Sequence, residues 1–103
     1  MAGCASAPPP TDKMVSSAGA IRGATEVGAV SVPQAALHLR LAQEQTVHAR
    51  ALIKDGETER AELVLMRAQA DAELALALAK EDTSRKDAEA ALEQVRALSA
   101  NTR

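Results

Sequence analysis

The sequence holds a single cysteine, Cys4, and two histidines, His38 and His48, and these are the residue types from which nucleophilic or metal chemistry would be built. The histidines are ten residues apart. On a helix that separation is about 280° of rotation, so the two cannot share a metal from one face. Cys4 has no histidine near it in sequence to draw off its proton, which argues against a thiol nucleophile. Ser16-Ser17 and Thr83-Ser84 read as helix-surface or helix-start residues. The 14 acidic residues fall at helix starts and in i,i+4 charge pairs, with no Gly-rich loop to gather them into an acid/base pair. Neither an enzyme nor a cofactor or metal is expected.

What must position these residues is a set of thin helices. Among 103 residues there are 24 alanines, against 23 Leu, Ile, Val and Met together, and no aromatic residue. Side chains this small cannot fill a thick core, and helix-on-helix packing at close range is what remains. Without aromatics there is no stacking platform for single-stranded nucleic acid, and the formal charge of −2 gives no basic footprint. Nucleic acid is not an expected partner. The narrow interior leaves little volume for a small-molecule substrate.

Periodicity predicts three helices. The first spans about 12 to 29, capped by Thr11 with Asp12, its inner stripe Met14, Ala18, Ile21 and Thr25. Gly28 marks its end, and Ser31 and Gln34 have capping-box spacing around Pro33, which suits the first turn of a second helix over 33 to 54. That helix carries an inner stripe of Ala35, Leu39, Ala42, Thr46, Ala49 and Ile53, and Gly56 supplies its left-handed terminator. The third helix starts near Glu57 or Thr58 and answers with Ala61, Leu65, Ala68, Ala72, Ala75 and Ala79. The two stripes form an antiparallel, alanine-seamed hairpin. A second stripe on helix three, Leu63, Met66, Ala70, Leu74 and Leu78, is assigned to helix one. The expected fold is therefore all-α, a three-helix up-down-up bundle.

Beyond Ala79 come eight polar residues, 80–87, in which Glu81–Arg85 and Asp82–Lys86 are acid-first i,i+4 pairs that favour an unbroken helix. Apolar spacing resumes at Ala88, Ala91, Leu92, Val95 and Leu98. A helix from 57 to 99 is about 64 Å long, and helix two can cover only about half of it. The rest projects as a C-terminal helix. Ala88, Leu92, Val95 and Leu98 are its candidate contacts for an envelope protein partner or for self-association.

The N-terminal residues point to a location. Ala2-Gly3-Cys4 resembles the last three positions of the lipobox of bacterial lipoproteins, in which the cysteine thiol is acylated. The basic and apolar segments that precede such a box are not present before Ala2, and a free cysteine in a tail is the plainer alternative. Pro8, Pro9 and Pro10 favour extended polyproline geometry and read as a linker. The chain thus divides into a lipobox-like start and linker (1–11), a bundle (12–79) and a projecting helix with its tail (80–103).

Three strings lie within residues 17–79, about 60 % of the chain: Ala20-Ile21-x-x-Ala24-x-x-x-Gly28-Ala29, then Leu39-Arg40-Leu41-Ala42-Gln43-Glu44, then Gly56 followed by Ala61, Ala68 and Ala70-Asp71-Ala72. In these strings the segment resembles the family catalogued as domain of unknown function 4398. The resemblance implies a helical domain of proteobacterial envelope proteins, often of lipoproteins, whose activity is unknown. The expectation is a non-enzymatic envelope lipoprotein, held to the membrane through Cys4, in the outer membrane facing the periplasm, and acting as a spacer or adaptor. The competing expectation is a soluble, tetratricopeptide-like helical hairpin that binds a peptide or partner helix.

Overall fold

The structure, a computed structural model, describes residues 8–102; Cys4 and the lipobox-like string lie outside the described residues. The described residues form three α-helices, α1 (Thr11–Glu26), α2 (Pro33–Lys54) and α3 (Thr58–Asn101), with a 3₁₀ turn at Ala29–Ser31 between the first two. Met14 packs with Ala49, Leu52, Ala61 and Leu65, whereas Ala24 packs with Ala35, Leu39, Ala75 and Ala79. The start of α1 therefore lies beside the α2–α3 turn, and the chain runs up, down and up.

The seam is built as its spacing demands. Ala61, Leu65, Ala68, Ala72, Ala75 and Ala79 are all buried on α3, facing Ala35, Leu39, Ala42 and Ala49 on α2. Thr46 and Ile53 are only half-buried, and Leu52 takes the inner place at the turn end. At the turn the Gly56 N–H donates to the Ile53 carbonyl at 3.0 Å and the Glu57 N–H to the Leu52 carbonyl at 2.8 Å. That pair of bonds satisfies the last α2 carbonyls and requires the left-handed φ of 80° that Gly56 adopts.

Helix α1 departs from expectation in three places. Met14 and Ile21 do face the core, half-buried, but the fully buried residues are Ser17 and Ala24, while Ala18 and Thr25 face solvent, so the inner face takes the position one residue earlier at these two places. The two small side chains let α1 settle into the groove above the seam, and the Ser17 hydroxyl stays satisfied by donating to the Met14 carbonyl at 3.1 Å. The helix also stops at Glu26, because Gly28 turns to a φ of 87° and Ala29 is buried in the 3₁₀ turn that follows. Neither expected cap forms. Pro10 with φ −76° and ψ 65° precedes α1, Val32 precedes α2, and neither makes a side-chain cap bond; Pro33 does occupy the first turn of α2. At ψ 65° Pro10 is in an inverse γ-turn, closed by the Thr11 N–H to the Pro9 carbonyl at 2.8 Å. The proline run is thus folded against the bundle at Pro10, which is buried, and is not extended throughout.

The larger correction concerns the second stripe of α3. Leu63, Met66, Ala70 and Leu74 are exposed; only Leu78 is drawn inward, onto Ala24, Ala29 and their neighbours. Helix α1 reaches α3 through the same alanine stripe that α2 uses, with Ala20 and Ile21 resting on Ala42, Ala68 and Ala72. Side chains this short let one stripe serve two neighbours.

Candidate interaction surface

Helix α3 is one continuous helix of 44 residues, about 66 Å long. Its polar stretch does not break it. Lys86 and Arg85 reach the Asp82 carboxylate at 3.0 and 2.7 Å, and the Thr83 hydroxyl donates to the Ala79 carbonyl at 3.2 Å. The expected Glu81–Arg85 pair is replaced by Asp82–Arg85, one residue closer. The hydrogen bond from Lys86, together with the Lys86 and Arg85 charges, holds the Asp82 carboxyl below its ordinary value against the opposing effect of desolvation.

Past Asp82 every described residue is exposed, so among the described residues nothing covers the last 19 residues of α3, 83–101. Leu92, Val95 and Leu98 are 58, 59 and 65 % exposed, with Ala88 exposed alongside them. Around the helix Ala88, Leu92 and Val95 fall on the side opposite the alanine seam, and Leu98 lies at the edge of that side, about 100° from Ala61. The same side, earlier in α3, carries Leu63 (64 % exposed), Met66 (53 %), Ala70 and Leu74 (43 %). Counting about 100° per residue from Ala61, Leu63 lies at about 200°, Ala70 at 180°, Leu74 at 220° and Ala88 at 180°. The candidate contacts on the projecting helix are therefore the second half of one apolar stripe that begins inside the bundle. The sequence carries the signal for this in the half-turn offset from the seam, which sets the stripe beyond the reach of a helix lying on that seam.

The remaining assigned residues have structural places. Ala61, Ala68 and Ala72 have no exposed surface, Gly28 and Gly56 hold the two left-handed positions, and Pro33 opens α2. They brace α3 and do not approach the outer stripe.

Two features escaped the sequence. His38 donates through Nδ1 to Asp71 Oδ1 at 3.0 Å, and Gln45 donates through Nε2 to Asp71 Oδ2 at 3.0 Å. The group ties α2 to α3 across the seam's edge. His38 and Gln45 are seven residues apart on one flank of α2, the spacing that would have flagged them. His48, by contrast, is exposed. An apolar groove of about 410 Å³ opens between α1 and α2 near the turn, lined by Pro9, Met14, Val15, Ile53 and Leu65 with Arg50 at its side. Among the described residues no His, Cys, Asp and Glu side chains gather in the threes a metal would need, and no helix is long and apolar enough to cross a membrane. Comparison with family models, with curated proteins and with solved structures returned no match to this chain.

Proposed function

We propose that this chain is a non-enzymatic lipoprotein of the bacterial envelope, a spacer and adaptor that presents α3 to a protein partner. The observation that carries the reading is the projection of α3. Twenty-two residues, 80–101, leave the bundle as helix, and beyond Asp82 none has a covering neighbour among the described residues. A helix of that length is marginal in water without packing, and its exposed Leu92, Val95 and Leu98 give a partner something to bury. The alanine-packed bundle serves as a base for this helix.

The tether is supported by Cys4 in its Ala-Gly-Cys setting and by where the described chain begins. Pro9 and Thr11 line the groove beside Ile53 and Leu65, so the N-terminal segment enters at the turn end of the bundle. The projecting helix leaves from the other end. A lipid on Cys4 holds the Asp55-Gly56 turn toward the outer membrane and directs α3 into the periplasm. The test is the intact mass of the protein expressed from its complete native reading frame in a Gram-negative host, beside a Cys4→Ala control. A diacyl or triacyl adduct starting at Cys4 is expected. An unmodified Cys4 overturns the anchor and leaves a soluble hairpin module that binds through the same surface.

A further inference from the structure

We infer that the partner on the outer face of α3 is a second copy of this chain, running antiparallel to the first, with the two-fold axis passing between Asp82 and Thr83. The inference rests on α3 being an interaction helix, and it does not depend on the lipid anchor.

The outer stripe keeps one register from end to end. Leu63, Ala70, Ala77, Ser84, Ala91 and Leu98 repeat every seven residues, and Arg67, Leu74, Glu81, Ala88 and Val95 repeat every seven between them. The alternating steps of four and three are those of a two-stranded coiled-coil seam, and a seven-residue repeat on a 3.6-residue helix winds left-handed. All of these residues are exposed. The projecting half alone supplies two heptads; with the bundle half it supplies five, because α1 leaves Leu63, Ala70 and Leu74 uncovered.

Charge chooses the direction. In a parallel pair, Arg67 would face Arg67 of the other copy, Glu81 would face Glu81, and Lys80 would flank Arg85. Each of these sets like charges together as water is removed. In the antiparallel pair centred between 82 and 83, Arg67 instead meets Leu98 at the open ends, where its guanidinium stays in water. Glu81 meets the Ser84 hydroxyl, and Lys80 flanks Asp87 of the other copy twice. Sliding the copies by one heptad sets Asp87 against Asp87 in one direction and Lys80 against Lys80 in the other.

Shape agrees with charge. The chosen register places large residues opposite small ones, Leu74 against Ala91 and Val95 against Ala70, with Ala77 against Ala88 between these layers and the central Glu81–Ser84 pairs. Facing layers then interdigitate without clash. From Arg67 to Leu98, the outermost facing pair, the contact is about 47 Å long, and at a helix width of about 10 Å it covers on the order of 900 Å² over both copies, at the low end for a specific interface. Each projecting helix lies along the back of the other copy's bundle, which supplies the packing that neither has alone.

The test uses the full chain with Cys4→Ser, so that introduced cysteines are the only thiols. Ala77→Cys and Ala88→Cys are made separately, both at exposed positions that leave the seam intact. Mixed and oxidised at about 100 µM, a concentration suited to an interface of modest area, the two are expected to form the 77–88 disulfide between unlike chains, with little cross-linking when either is oxidised alone. Light scattering of the Cys4→Ser chain is expected to give twice 10.7 kDa. Lys80→Glu should weaken the dimer roughly fivefold, and adding Asp87→Lys to the same chain should restore it. Cross-links between like positions, or a monomer at that concentration, would overturn the proposal. The mass measurement on Cys4 stands apart from either outcome.

Discussion

Replacing Ala68 by leucine tests the packing from which the rest of the architecture follows. Ala68 has no exposed surface; it lies with Ala42 and Ala72, with Ala20 and Ile21 of α1 against the same cluster. Leucine adds three carbons at the point where all three helices meet, and forcing extra methylenes into a filled site costs about 1–3 kcal/mol. In a domain of this size 1 kcal/mol corresponds to about 4–8 °C in the melting midpoint, so the expected fall is roughly 4–24 °C. The matched control is Ala70→Leu, two residues along the same helix but on the exposed outer face. Alanine and leucine have similar helix propensities, so that variant should lie within about 0.5 kcal/mol of the parent. Thermal unfolding followed by far-ultraviolet circular dichroism reads both, at a dilution low enough for self-association not to raise the midpoint. Equal midpoints for the two variants would mean that the seam has room for leucine, and the close alanine interface would be refuted.

Other perturbations reach separate parts of the structure. Gly56→Val places a β-branched side chain at φ 80°, where a Cβ would meet no neighbour within 4 Å, so the loss of about 1–2 kcal/mol is backbone strain alone; an unchanged melting midpoint would contradict the left-handed turn. Asp71→Ala removes the shared acceptor of His38 and Gln45 and should cost about 1–3 kcal/mol, with a double-mutant cycle against His38→Ala showing non-additivity; additive losses would show that the pair is not coupled. Asp82 is an acid whose carboxyl is held below its ordinary value of 3.8 in the folded chain, so its contribution is complete above that value and disappears as the pH falls further. Acid titration of helicity should therefore show a loss below pH 3.8 that Asp82→Asn lacks, and identical curves would remove Asp82 from the junction.

Much of this architecture is written in spacing. The stripes at 35, 39, 42 and 49 and at 61, 65, 68, 72, 75 and 79 can be read directly, because alternating steps of three and four admit only one buried face. Gly28, Pro33 and Gly56 mark their turns for equally local reasons. Helix α1 is less legible: its small residues offer competing stripes one position apart, and the choice of Ser17 and Ala24 over Ala18 and Thr25 is made by the groove it enters. The caps misled because Ser31 and Thr11 have the right chemistry while the 3₁₀ turn and the proline turn hold the chain in other geometries. The outer face of α3 is not legible from periodicity, because an apolar stripe carries no mark of whether its neighbour lies in the same chain. A seam of methyl groups lets α1 and α2 share one side of α3 and leaves Leu63, Met66 and Leu74 facing out.

The central claim is that the outer face of α3 is a contact surface, and amide hydrogen exchange of residues 88–101 at several protein concentrations tests it most directly. An uncovered terminal helix opens easily and exchanges fast at any concentration, whereas a docked one is protected. The account predicts slow exchange in this stretch at high concentration that becomes fast on dilution, while the seam residues of α2 stay protected throughout. Fast exchange of residues 88–101 at every concentration, with the bundle folded, would contradict it.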